Sequence, residues 1–236
     1  MDATEAADKA MGRNEDLSTL KDLIIVGGGG HARVVIETAR SRPDLWNVIG
    51  FTDPRPCEQT AEGLGITHLG DDDGYAPNRL YSWYVLGVGG VGVSAVRRNV
   101  VARYGDAGSR WATVVDSGAF VSPTARIGAG TVIFSGAVVN SGATIGDHCV
   151  INTGAIVEHD VQVGSYTQIG PGAVVGGGTT IGSGSYLGLG CRIRDHISIG
   201  HRVLVGMGAV VVSPVEDEMA VAGVPAKAIR TEKTNV

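Results

Sequence analysis

Two patterns of apolar positions divide this chain. From Val115 to Val211 an aliphatic residue recurs at every sixth position, seventeen times in succession and without one insertion. The series opens Val115, Val121, Ile127, Ile133 and closes Ile193, Ile199, Val205, Val211. A period of six fits neither the helical 3.6 nor the heptad. It predicts a stack of short parallel strands joined by tight corners, a hexapeptide β-helix. Residues 21–112 read differently. Leu23-Ile24-Ile25-Val26 predicts a short buried strand, and Gly27-Gly28-Gly29-Gly30-His31 follows at once. Ala32 to Arg40 predicts a helix with Val35, Ile36 and Ala39 inward. Val48 to Phe51 predicts a second strand ending at Asp53. Trp83 to Val88 predicts a later one, followed by Gly89-Gly90 and a helix through Val96, Val100 and Tyr104. Strands alternating with helices predict a small parallel α/β sheet of Rossmann type.

Each repeat unit reads roughly aliphatic-Gly-x-Gly-small-x, as in Ile127-Gly128-Ala129-Gly130-Thr131-Val132. The aliphatic residue fills the interior. The small residue four positions on (Ala125, Thr131, Ala137, Cys149 and their equivalents) also points inward, where a prism corner leaves little room. Corner glycines supply positive φ. Three hexapeptides close one triangular coil, so residues 115–211 span slightly more than five coils. Stacking buries what one coil cannot. No long loop interrupts the repeat, so substrate contacts are expected from a neighbouring subunit or from the N-terminal region.

Composition narrows the class. Thirty-seven glycines and only 5% aromatic residues suit a β-helix. A formal charge of −5 argues against nonspecific nucleic-acid binding. Cys57, Cys149 and Cys191 form no paired framework, and two of them occupy small interior positions of the repeat. Reduced thiols in a cytoplasmic protein are the expectation. No run of about 18 apolar residues predicts a membrane span. Residues 1–20 lack the form of a signal peptide and read as a flexible polar leader. The expected division is therefore leader 1–20, Rossmann-like domain 21–112, and β-helix with C-terminal tail 113–236.

A glycine-rich turn between strand and helix presents backbone N–H groups to phosphate oxygens. An acid ending the second strand can accept from a ribose or base. Gly29, Gly30, His31, Asp53, Arg55 and Gly89 are therefore the candidate contacts to a nucleotide-containing ligand, with Gly29 expected to supply positive φ. The third glycine of a GxGxxG fingerprint is absent, and a tight connection or turn remains the alternative reading. In the repeat, His159 sits two residues after Val157, at a corner and facing outward. A neutral imidazole can take the proton that an amine must lose before attacking a thioester. Glu158 or Asn152 is the expected partner that orients the ring or holds its charge. A corner N–H can stabilise the tetrahedral oxyanion. His148 and His201 read as solvated corner residues.

These pieces together resemble a family. Ile25-Val26-Gly27-Gly28-Gly29-Gly30-His31-Ala32-Arg33-Val34-Val35, Ile49-Gly50-Phe51-Thr52-Asp53, Ile151-Asn152-Thr153-Gly154-Ala155, Val157-Glu158-His159-Asp160 and Gly223-Val224-Pro225-Ala226-Lys227 occur in order over about residues 22–230. They resemble the two-domain bacterial nucleotide-amino-sugar N-acetyltransferases of bacillosamine and perosamine synthesis, and the related sialic-acid-type O-acetyltransferases. The resemblance implies a left-handed β-helix and a homotrimer. It implies that the N-terminal domain holds a nucleotide-linked 4-amino-4,6-dideoxy sugar and that the histidine of the Glu-His pair is the base. It places acetyl-CoA, as cosubstrate, in a groove between two β-helices, against Gln168, Gly177, Leu189, Met207, Pro225 and Lys227. The place of the enzyme in surface glycan synthesis follows from the same likeness. The family commonly carries a second histidine nine residues after the first; this chain has Gln168, which can donate a hydrogen bond but carries no proton. UDP, GDP and dTDP sugars share a pyrophosphate, so these residues point to the class of substrate and leave the base open. Sugar O-acetylation on the same fold and a non-catalytic scaffold are the alternatives. So is a trimeric zinc carbonic anhydrase, because His159, His196 and His201 lie 37 and 5 apart; two coils are 36 residues, so His196 falls one step out of register.

Overall fold

The computed structural model describes residues 20–55, 57–71, 82–93, 95–105 and 110–229. The leader predicted over residues 1–20 lies outside them, Leu20 excepted. The chain begins with a parallel sheet whose strands β1 (Lys21–Val26), β2 (Trp46–Thr52), β3 (Trp83–Leu86) and β4 (Arg110–Trp111) stand in the order β2-β1-β3-β4. Helix α1 (Gly30–Arg40) links β1 to β2 and buries Ala32, Val35, Ile36 and Ala39, the face that the apolar spacing predicts. A short helix α2 (Glu58–Leu64), not anticipated from the sequence, follows β2. Helix α3 (Val96–Gly105) connects β3 to β4. The central strand β1 is buried from Leu23 to Val26, as a strand with parallel neighbours on both edges must be.

Seventeen two-residue strands follow, β5 (Val114–Val115) to β21 (Val210–Val211), one per hexapeptide. Every strand pairs in parallel with the strand 18 residues on, as Val150 with Gln168 and Ile151 with Ile169. The aliphatic series and the small residues lie in one continuous core. From Gly130 to Gly208 every sixth residue has positive φ, whether or not it is glycine; His148, Asp160, Tyr166, His196 and Arg202 hold this conformation. The corner geometry therefore overrides the preference of the side chain. The stack ends when the offset falls to 16, Leu204 pairing with Ala220, and β22 (Ala220–Gly223) turns through Val224–Pro225 into β23 (Ala226–Ala228).

The prism has three faces, distinguished by the residue just before each inward aliphatic. The first face shows Val114, Val132, Val150, Gln168, Tyr186 and Leu204. The N-terminal unit covers its beginning, since Val114, Val132, Val150 and Phe134 share a core with α1 and β1. The second face shows Phe120, Val138, Ile156, Val174, Arg192 and Val210, an apolar stripe that nothing in one chain covers. The third shows Arg126, Thr144, Gln162, Thr180 and Ser198 and is polar.

Candidate active site

His159 follows strand β12 (Ile156–Val157), at the edge between the second and third faces. Asp160, next along, adopts φ 59°, which an Asp tolerates better than most side chains. The turn brings its carboxylate against the imidazole: His159 Nδ1–H donates to Asp160 Oδ2 at 2.9 Å. This fixes the tautomer and leaves Nε2 as the free, lone-pair nitrogen. The hydrogen bond from Asp160 raises the His159 pKa above the ordinary histidine value, with smaller help from the charges of Asp160 and Glu158. The ring lies over Gly177 of the next coil; a Cβ there would fall 2.6 Å from Nε2.

The orienting partner is therefore Asp160, not Glu158 or Asn152. Glu158 Oε2 instead accepts from Asn140 Nδ2 at 3.0 Å, one coil earlier. Asn152 stands at the edge between the first and second faces and accepts from the Thr153 N–H at 2.8 Å. A full prism face separates it from His159 of the same chain. Leu189 and Met207 share the edge of Asn152 and are exposed, Met207 at 78%. Gly177 shares the edge of His159. Gln168 stands half-buried on the first face, beside Val150, and Pro225 and Lys227 belong to the hairpin that closes the stack. One chain thus sets the expected catalytic and cofactor residues along both edges of its apolar second face and converges them nowhere. The three candidate zinc histidines also diverge. His196 follows the register of Asp160 and sits over Gly178, and His201 lies on the third edge, where its Nδ1 accepts from the Ser183 N–H at 3.0 Å.

In the N-terminal unit the glycine turn joins β1 to α1. Positive φ falls at Gly27 (108°) and not at Gly29, whose φ is −77°. A Cβ at Gly27 would meet Val88 Cγ2 at 2.8 Å, so the turns after β1 and β3 pack directly on each other. Ala32 takes the place of the missing third glycine and lies against Gly87, where a Cβ would come within 2.8 Å of it. An open cleft of about 340 Å³ is lined by Gly28, Gly29, Gly30, Arg33, Cys57, Glu58, Gln59 and Thr60. Gly29 faces open space. Arg33 and the start of α2 had no counterpart in the sequence reading; the i+3 position of Arg33 after Gly30 was the available signal.

Asp53 and His31 are placed differently from expectation. Asp53 is 7% exposed. Its Oδ2 accepts from the Gly28 N–H and its Oδ1 from the Arg55 N–H, both at 2.9 Å. It therefore clamps the glycine turn to the end of β2, and the Arg55 side chain points to solvent. The His31 ring is packed between Gly89 and Phe134, its Nε2 buried without a partner. Burial, and secondarily the nearby Arg97 charge, pulls its pKa down to about 4. The first turn of α1 aims this ring at the β-helix, away from the cleft. His148 is likewise not solvated: it is 6% exposed, stacked on Tyr166 and edge-on to Trp111, with its pKa lowered by burial to about 4. The covering N-terminal unit is the reason, which corner periodicity alone does not reveal.

The comparisons with known proteins match this layout unit by unit. Residues 22–104 match the PglD N-terminal domain, and residues 142–177 and 160–195 match the bacterial transferase hexapeptide (six repeats). Among curated proteins none matches the chain in sequence. Among solved structures, a histidine-to-asparagine variant of perosamine N-acetyltransferase from Caulobacter crescentus, in complex with CoA and GDP-perosamine, is 32% identical, with a TM-score of 0.79. The match covers 90% of this chain and 99% of that one. The acetyltransferase domain of PglB from Neisseria gonorrhoeae FA1090, in complex with acetyl coenzyme A, is also 32% identical, with a TM-score of 0.81 over 89% of this chain and 100% of that one. With a Rossmann-like unit packed on a left-handed hexapeptide β-helix and this likeness running over nearly its whole length, the chain belongs to the two-domain bacterial nucleotide-amino-sugar N-acetyltransferases.

Proposed function

We propose that this acyltransferase moves the acetyl group of acetyl-CoA directly to the amino group of a nucleotide-linked 4-amino-4,6-dideoxy sugar, with His159 as general base, in surface glycan synthesis. The observation that carries the reading is the His159 imidazole, held by Asp160 through Nδ1 and open at Nε2. In this reading Nε2 takes the proton as the sugar nitrogen attacks the thioester carbonyl. The same proton then passes to the sulfur as the carbon–sulfur bond breaks, so no covalent enzyme intermediate is needed. Asp160 stabilises the imidazolium formed between the two transfers, and its raised pKa makes the ring the stronger base.

The working unit in this proposal is a homotrimer. The apolar second face, with Phe120 half-exposed, supplies the surface that a neighbouring copy can bury. Association along that face brings the His159 edge of one chain to the Asn152, Leu189 and Met207 edge of the next. The groove so formed takes acetyl-CoA. The cleft at Gly28–Gly30 and Arg33 takes the nucleotide pyrophosphate, for which a helix N-terminus and an exposed cation are suited. The test is a screen of UDP-, GDP- and dTDP-linked 4-amino-4,6-dideoxy sugars with acetyl-CoA, following free thiol and identifying the product amide by mass. His159→Ala is expected to lower turnover by roughly 10²–10⁴-fold. Thiol release with none of the sugars refutes the activity, and an active monomer in sedimentation refutes the assembly.

A further inference from the structure

The contact between the two units is built around a buried cation that the proposed chemistry does not use. Arg97, the second residue of α3, is 2% exposed. Among the described residues no carboxylate pairs with it. Its guanidinium instead forks between two backbone carbonyls: Nη1 donates to Val88 O at 2.8 Å and Nη2 to His148 O at 2.7 Å. The first carbonyl belongs to the glycine-rich loop after β3, and the second to a corner of the β-helix. Burial pulls the Arg97 pKa down to about 10, so the group stays charged at neutral pH. Burying an arginine without a counter-ion is unfavourable unless its donors are met. Here two carbonyls meet them, and only a planar fork reaches both.

What Val88 touches gives this contact its meaning. The Val88 side chain packs on Gly27, in the turn that opens the nucleotide cleft, and the adjoining Gly89 packs on the His31 ring in the first turn of α1. His148, on the other side, stacks on Tyr166, whose ring also carries the Arg98 guanidinium at 5.5 Å. We infer that Arg97 is a positioning residue for the sugar substrate: it locks the loop after β3, and through it the glycine turn, to the β-helix. The amino sugar held by one unit is thereby delivered at a fixed place relative to the unit that carries out transfer. This inference rests on the proposed activity, with nucleotide sugar at the glycine turn.

The test is steady-state kinetics of the trimeric enzyme with the nucleotide sugar that it turns over best, for the wild type, Arg97→Lys and Arg97→Met. The expected result is a KM for the sugar raised by about tenfold or more in Arg97→Met, the scale of one lost charge-assisted hydrogen bond. The KM for acetyl-CoA and kcat at saturation should stay within about twofold, with Arg97→Lys between wild type and Arg97→Met because an ammonium serves one carbonyl. A folded Arg97→Met with an unchanged sugar KM, or with both KM values raised alike, overturns the inference. If Arg97→Met does not fold, hydrogen exchange of the wild type decides. Adding that sugar should slow exchange both in the loop 87–93 and at the corner 147–149, and slowing in the loop alone overturns the coupling. A wild type that turns over no amino sugar sinks the proposed activity itself, and this inference with it.

Discussion

Replacing Gly177 by alanine isolates the placement of His159 from its chemistry. The added Cβ would stand 2.6 Å from His159 Nε2 and 2.8 Å from Cε1, whereas ordinary contact begins near 3.4 Å. The ring must therefore withdraw by about 0.8 Å, the difference between 3.4 and 2.6. It can do so because its side chain is 58% exposed and held only by Asp160. Gly177 does not use positive φ, so the backbone accepts alanine unstrained. Stability should then stay within about 0.5 kcal/mol, as for other surface changes. Displacing a reacting group by about 1 Å costs on the order of 10²-fold in rate, so kcat should fall by about that factor. The assay is thiol release at saturating levels of both substrates, beside a denaturant midpoint. A folded Gly177→Ala enzyme with full kcat refutes the placement argument. A raised KM for acetyl-CoA with kcat intact would instead assign Gly177 to the cofactor groove.

Asp160→Asn removes the group that raises the His159 pKa, so the acid limb of the kcat/KM profile should move to lower pH; an unmoved limb separates Asp160 from the base. Gly29→Val meets nothing within 4 Å and needs no unusual φ, so it should block only a phosphate. Calorimetry should show sugar binding weakened by about tenfold or more with acetyl-CoA binding unchanged; equal losses refute the division of labour. Gln168→His should be tolerated, with kcat within about tenfold of wild type or above it, and a misfolded or non-trimeric variant would show that packing fixes Gln168. His31 and His148 are held neutral with pKa values of about 4 against 6.5 for the free side chain, so the unfolded chain binds protons first as pH falls. Stability should be complete above pH 6.5 and decline between 6.5 and about 4, by up to roughly 1.4 kcal/mol per pH unit for each group; urea midpoints that stay flat over that window refute it.

The β-helix was legible because its periodicity is redundant: each Ile or Val repeats the same instruction, and the structure places the whole series inside. The α/β unit was legible from Leu23–Val26 and the buried face of α1. What was not legible depends on which surfaces meet. Val114, Val132 and Val150 stand 18 residues apart on the outward side, which marks a covered face once a coil is known to hold 18 residues. Without that register His148 reads as solvated. Asp53 sits where a ribose acceptor is expected, yet its carboxylate is taken up by the Gly28 and Arg55 N–H groups, a choice made by local turn geometry. Asp160 was in plain view beside His159, but only the left-handed turn at that residue shows why it reaches the ring and Glu158 does not.

That left-handed turn also bears on why a prism serves as a catalyst. Along the edge between the first and second faces, the positive-φ position is glycine in every coil from Gly136 to Gly208. Along the His159 edge it is Asp160 and His196 in two of the coils, and along the edge beneath α3 it is His148, Tyr166 and Arg202 in three. A non-glycine residue in this conformation is unfavourable in isolation and persists where its surroundings hold it. In this molecule such residues stand where side chains have a task, one edge presenting the proposed base and the other receiving the N-terminal unit. The repeat therefore supplies rigid, evenly spaced corners, and specificity enters through the few corners at which glycine is given up.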